Sequence, residues 1–144
     1  MSNAEALLKE RLRKVYSEKT IEHIIRPHNI HSVSEPDGYA ECTSDCGENM
    51  KIWIGIINDS VEKVGFWTDG CAATVACGSM CTDLLKHKLV TEAMAITARD
   101  IAASLGDLPD GNFHCAELAA QTAQKALKDY LAIKLQPWKK LYRR

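Results

Sequence analysis

The sequence predicts an α+β fold, a small antiparallel three-stranded sheet with helices packed on one face. Residues 51–57 and 61–68 are apolar, strand-like runs separated by the hairpin-length turn Asn58-Asp59-Ser60. Residues 72–86 are apolar on nearly every side, as a largely buried helix is. Residues 115–135 form a long amphipathic stretch that stops before Pro137. A sheet of this size buries its apolar face only against other elements, and the helical segments supply the second layer.

In chain order, residues 4–16 place Leu8, Leu12, Val15 and Tyr16 at helical spacing among charges. Residues 1–15 are therefore set apart as a helical N-terminal extension. Residues 18–26 predict a second helix with Ile21, Ile24 and Ile25 on one face. It stops at Pro27, whose ring disfavours helical backbone in the residue before it. Residues 28–38 show no period and end in the turn signal Pro36-Asp37-Gly38. Residues 39–43 predict the first strand, with Ala40, Cys42 and Ser44 sharing parity. In the second strand Ile52, Ile54 and Ile56 line one face, and Trp53 and Ile57 the other. The third returns with Val61, Val64, Phe66 and Trp67. Residues 90–105 predict one or two shorter helices ended by Gly106, and residues 107–111 a loop. Residues 136–144 are a basic tail, read as a solvated end. With no repeat or linker, residues 1–144 are expected to form a single domain, long enough for one core.

Eighteen basic residues against nineteen acidic ones leave a net charge of −1, which gives no electrostatic case for nucleic acid as a partner. No run of ~18 apolar residues is present to span a membrane. The N-terminus lacks the basic start and apolar block of a secretion signal. The expected compartment is cytoplasmic, where the six cysteines are thiols or metal ligands in preference to disulfides.

Three of those cysteines stand at the ends of elements. Cys46 precedes Gly47 and Glu48, just ahead of the second strand. Cys71 follows Gly70 where strand gives way to helix, and Cys115 follows His114 where the long helix opens. A helix N-terminus offers positive potential and free N–H groups, which favour thiolate, the reactive and metal-binding form. The three are 25 and 44 residues apart, a spacing that matches no zinc finger or ferredoxin run. Any one alone reads as a small buried hydrophobe. Cys77 and Cys81, four apart and in line with Leu84 and Leu85, read as core packing, as does Cys42. His23, His28, His31 and His87 read as solvated or capping residues, and Trp53, Phe66 and Trp67 as sheet packing.

The residues around the thiols are more specific than their spacing. Tyr16-Ser17-Glu18-Lys19-Thr20-Ile21-Glu22-His23 leads into Arg26-Pro27-His28-Asn29-Ile30. Then come Cys46-Gly47-Glu48-Asn49-Met50-Lys51, Gly70-Cys71-Ala72-Ala73, and Leu108-Pro109 through His114-Cys115. In these motifs, across about residues 15–132, the chain resembles the IscU/NifU N-terminal family, the scaffold proteins on which iron–sulfur clusters are assembled.

The resemblance implies a site built from Cys46, Cys71 and Cys115. Glu48 stands where the family has an aspartate that assists cluster release or completes coordination, and His114 is the other candidate ligand. It implies a transient [2Fe–2S] cluster, with zinc as the alternative metal in protein as isolated. The implied partners are a cysteine desulfurase and apo iron–sulfur acceptor proteins, the scaffold being homodimeric or monomeric and not an enzyme. Its alternative is a SufU-like, zinc-dependent sulfurtransferase that accepts persulfide and stimulates a desulfurase. Two departures bear on this. Glu48 lengthens the carboxylate arm by one methylene. Leu108-Pro109-Asp110-Gly111-Asn112 replaces the Leu-Pro-Pro-Val-Lys segment that a dedicated chaperone recognises, so that contact is not carried over. The 44-residue interval leaves little room for the insertion of the SufU-like branch, which favours the scaffold reading.

Overall fold

A two-residue turn organises the sheet. In a computed structural model describing residues 3–138, Asn58 and Asp59 both adopt positive φ, 52° and 60°. That backbone matches the twist of the strands it joins, so β2 (Asn49–Ile57) folds directly back into β3 (Ser60–Thr68). β1 (Gly38–Thr43) pairs antiparallel with the other edge of β2, giving the order β1-β2-β3.

One face of this sheet is the core. Ala40, Cys42, Met50, Ile52, Ile54, Val64 and Phe66 are all buried there. Val61 is also fully buried, although strict alternation would turn it away from Val64. A register shift opposite Gly55 and Ile56 skips Glu62 and restores Val61 to the inner side. The outer face carries Tyr39 against Trp53, with ring centroids 5.5 Å apart, and Lys51 Nζ 5.2 Å from the Trp67 ring. The expected packing role holds for Phe66 in the core, whereas Trp67 stays 41% exposed on the outer face.

Six helices accompany the sheet among the described residues: α1 (Asn3–Leu12), α2 (Glu18–Ile25), α3 (Ala72–Leu85), α4 (Val90–Met94), α5 (Ala98–Ser104) and α6 (Phe113–Leu135). α6 lies along β1 and β2, α3 along β3, and α2 packs on α3. The alanines of α6, among them Ala116, Ala119, Ala123 and Ala126, bury without holding the helix off the sheet. α2 is pinned by Ser17 and Thr20, whose hydroxyls both donate to the Leu105 carbonyl at the end of α5.

Three expectations are corrected. The first helix ends at Leu12 and not near Tyr16: its bonds tighten to three-residue spacing at Lys14 (to Arg11 C=O) and Val15 (to Leu12 C=O), and Ser17 is then extended (φ −66°, ψ 161°) as the cap of α2. α1 buries no residue, and Leu8 and Val15 of its expected stripe are exposed. α6 opens at Phe113, two residues before Cys115, after a 3₁₀ turn over Asp110–Asn112. His23 is not solvated: it is 3% exposed, with Nδ1 2.6 Å from Ser79 Oγ. Its affinity for a proton is lowered by burial and then by His28 beside it. The predicted basic run 139–144 lies outside the described residues. No helix among those described is long and apolar enough to cross a membrane.

α3 passes close over the sheet at Gly78, where a Cβ would overlap the buried Phe66 ring and crowd Met50. Gly78→Ala should lower unfolding stability by ~1–2 kcal/mol, since overpacking costs about 1–3 kcal/mol and helix propensity returns up to ~1. Denaturant melts of the two proteins test this; an unchanged or higher midpoint would show that Phe66 can move aside.

Candidate metal centre

Three element ends converge at one edge of the sheet. Between β1 and β2 the chain reverses at residues 44–48, where Ser44 N–H donates to Glu48 C=O (2.8 Å) and Gly47 N–H to Ser44 C=O (2.9 Å). Gly47 takes φ +89°, which its missing side chain allows, and leaves Cys46 exposed at the tip. Asp69 then ties the start of β2 to the end of β3. Its carboxylate accepts Asn49 N–H at 2.8 Å and Asn49 Nδ2–H at 2.9 Å, while the Thr68 hydroxyl donates to Asn49 C=O at 2.6 Å. This clamp sets Glu48 opposite Cys71, the N-cap of α3. The first turn of α6 brings His114 and Cys115 to the same place.

Glu48 is the junction. Its Oε2 accepts the Cys71 backbone N–H at 2.9 Å and the Thr74 hydroxyl at 2.7 Å. Its Oε1 lies 3.6 Å from Cys46 Sγ and 3.4 Å from His114 Nε2. A Cβ at residue 70 would collide with this carboxylate and with Thr74, so the glycine before Cys71 makes room for the contact. Two groups of three ligand atoms result, each within 4.8 Å: Cys46, Glu48 and His114, and Glu48, Cys71 and Cys115. All five residues singled out in the sequence are thus neighbours, with Cys46 joined to the other two cysteines through the carboxylate.

Burial pushes the Glu48 carboxyl upward. The hydrogen bonds from Thr74, the Cys71 N–H and Cys46, with His114 nearby, outweigh it and hold the carboxyl below its ordinary value. Cys115 is the reverse case. Burial foremost, aided by the charges of Cys71 and Glu48, lifts its thiol to about 12 against the opposing Thr74 hydrogen bond. Free Cys115 is therefore a protonated thiol, and a metal must displace that proton to bind it.

Three sulfurs, one carboxylate and one imidazole are a donor set for a soft or borderline ion such as iron or zinc. The residues present fit that chemistry. An open groove of about 530 Å³ reaches the site past Thr43, Ser44, Cys46, His114, Glu117 and Gln121, so the Cys46 side is open to solvent. Cys42, Cys77 and Cys81 lie in the core instead. Burial raises the Cys77 thiol and lifts Cys81 to about 12, which leaves both unreactive.

Thr74 escaped the sequence reading. Fully buried, its hydroxyl lies 3.4 Å from Cys71 Sγ and 3.3 Å from Cys115 Sγ besides bonding Glu48. The available signal was its place one helical turn after Cys71. Ser44 was likewise missed; its Oγ is 3.2 Å from Cys46 Sγ and accepts the Glu48 N–H at 3.1 Å.

The family model for the NifU-like N-terminal domain matches residues 15–137. Iron-sulfur cluster assembly scaffold protein IscU 1 of Archaeoglobus fulgidus is 37% identical over 117 residues, covering 81% of this chain and 76% of that protein. The scaffold protein IscU of Aquifex aeolicus is 36% identical over 119 residues, with the same coverage. Among solved structures, a candidate iron–sulfur cluster assembly scaffold for the SUF system from Fervidobacterium islandicum superposes with a TM-score of 0.64. It is 20% identical and covers 80% of this chain and 98% of its own, which establishes likeness of fold.

The exposure of the thiols predicts their reactivity. In metal-free folded protein, iodoacetamide should label Cys46 and Cys71 quickly, and Cys42, Cys77, Cys81 and Cys115 only as the chain opens. Peptide mass mapping over time reads this, and early labelling of Cys115 would contradict its burial.

Proposed function

From the premise that the chain belongs to the NifU-like N-terminal domain family, we propose that it is a scaffold for iron–sulfur cluster assembly. Its cargo is a transient [2Fe–2S] cluster built on Cys46, Cys71 and Cys115. The observation that carries the reading is the Glu48 carboxylate, which belongs to both groups of ligand atoms and links the exposed Cys46 to the buried Cys115. The chain acts as carrier, not enzyme, and its partners are a sulfur donor, a cysteine desulfurase, and the apo-proteins that receive the cargo.

The chemistry follows from the residues. A thiolate attacks the terminal sulfur of a desulfurase persulfide; a new S–S bond forms here, the old one breaks, and the desulfurase cysteine leaves as thiolate. Reducing that sulfane sulfur to sulfide takes two electrons from an external reductant. The three thiolates then hold iron and sulfide. Glu48 and His114 are harder donors than thiolate, and Glu48 already has the Cys71 N–H and the Thr74 hydroxyl as competing partners. A carboxylate that can return to those donors is a labile ligand, which suits a protein that must hand its cargo on.

Anaerobic reconstitution with iron and sulfide tests the site. Cys71→Ser should abolish most of the cluster absorption, and full absorption in that variant would sink the ligand assignment. Protein that instead holds tight stoichiometric zinc, forms no cluster and strongly stimulates a desulfurase is a zinc-dependent sulfurtransferase. With cluster bound, Glu48→Ala should transfer it to an apo-acceptor several-fold more slowly than the parent. Transfer at an undiminished rate would remove Glu48 from the release step.

A further inference from the structure

A second cluster of ligand side chains lies where α2 and the segment after it cross α3. His23 on α2, His28 just beyond Pro27 and Asp83 on α3 each bring one ligand atom within 4.8 Å of the other two. Asp83 is twelve residues along α3 from Cys71, ~18 Å at the rise of a helix, so this is not an extension of the cysteine centre. We propose that His23, His28 and Asp83 form a second metal site, taking a divalent first-row transition ion such as zinc, cobalt(II) or iron(II). It stands independently of the scaffold reading.

Two imidazoles and a carboxylate are donors such ions accept, and a site of three leaves positions for water. His23 is 3% exposed, its Nδ1 is held by Ser79, and its Nε2 has no hydrogen-bond partner among the described residues. In the tautomer with the proton on Nδ1, the ring donates to Ser79 Oγ and keeps its lone pair on Nε2, and an outer hydrogen-bond partner on the other ring nitrogen is the usual support of a ligating histidine. Burial favours the neutral ring, the form that binds metal.

The other two ligands are also oriented. His28 Nδ1 is 2.6 Å from Asp83 Oδ2, and the His28 backbone N–H donates to Ser79 Oγ at 2.8 Å. Asn29 Nδ2 donates to the second carboxylate oxygen of Asp83 at 3.0 Å. The His28 and Asp83 side chains remain 55% and 33% exposed, which gives an ion a way in from solvent. A surface ion pair would account for His28 and Asp83. It does not account for a buried ring with a free nitrogen, its centroid 4.8 Å from that of His28.

Cobalt(II) titration of the whole chain, with thiols reduced under anaerobic conditions, separates the two centres. Thiolate-bound cobalt shows intense sulfur-to-metal charge transfer, whereas a site of nitrogen and oxygen does not. The wild type should bind one equivalent with that band and one without it. His28→Gln and Asp83→Asn should each weaken the second equivalent at least ~10-fold, leaving the band intact as a report of folding. Binding only with charge transfer overturns the proposal. So does a second equivalent that persists in both variants, which would place it elsewhere, for instance on His87 and Glu62. A readout without variants is the ring resonances of the wild type: the second equivalent of zinc should shift those of His23 and His28. Unshifted His23 resonances would equally overturn the site.

Discussion

One carboxylate holds the functional edge of this molecule together. Without Glu48, the loop after β1, the start of α3 and the start of α6 would share a region of space but few direct bonds. A mostly buried carboxylate is costly to desolvate unless its oxygens are bonded, and hydrogen bonds to a charged acceptor contribute roughly 1.5–3 kcal/mol each. Here the bonds prevail, as the lowered proton affinity of Glu48 shows. The same balance makes the group exchangeable. Every donor that stabilises the carboxylate within the protein competes with a metal for the same oxygens.

The fold grades its thiols by depth. Cys46 and Cys71 are exposed at a loop tip and a helix cap, Cys115 sits beneath them in the first turn of α6, and Cys42, Cys77 and Cys81 belong to the core. Burial holds the Cys115 thiol protonated in the free protein, so any metal that took it as a ligand would have to displace that proton. Thr74 spans the outer and inner levels, since one hydroxyl adjoins Cys71, Cys115 and Glu48.

Much of this was legible in the sequence. Alternation gave the strands to within two residues, because each has one buried and one open face. The turn at Asn58-Asp59 was legible because those residues tolerate positive φ. That Cys46, Glu48, Cys71, His114 and Cys115 would be neighbours was read through the residues flanking each cysteine, since spacing alone does not say which element ends meet. What stayed hidden depended on tertiary partners. The start of α6 at Phe113 follows from a 3₁₀ turn with no strong signal, and the end of α1 from a tightening to three-residue bonds at Lys14 and Val15 that the apolar spacing does not mark. His23 looks like any polar residue on an amphipathic helix; its burial against α3 and its bond to Ser79, 56 positions away, are tertiary. Val61 and Val64 share a face only because of the bulge opposite Gly55.

The outer margin of β3 has a consequence for how other proteins can engage the sheet. The Phe66 N–H is taken by the carbonyl of Asn29, a residue held at φ 61°, while Val61 exchanges backbone bonds with Lys88 and His87. A strand edge with its backbone donors already spoken for offers no template for an incoming strand. Recognition by strand addition is closed at these positions of the hairpin, and so is one common route to aggregation. At these positions only side chains and loop surfaces are left to be read.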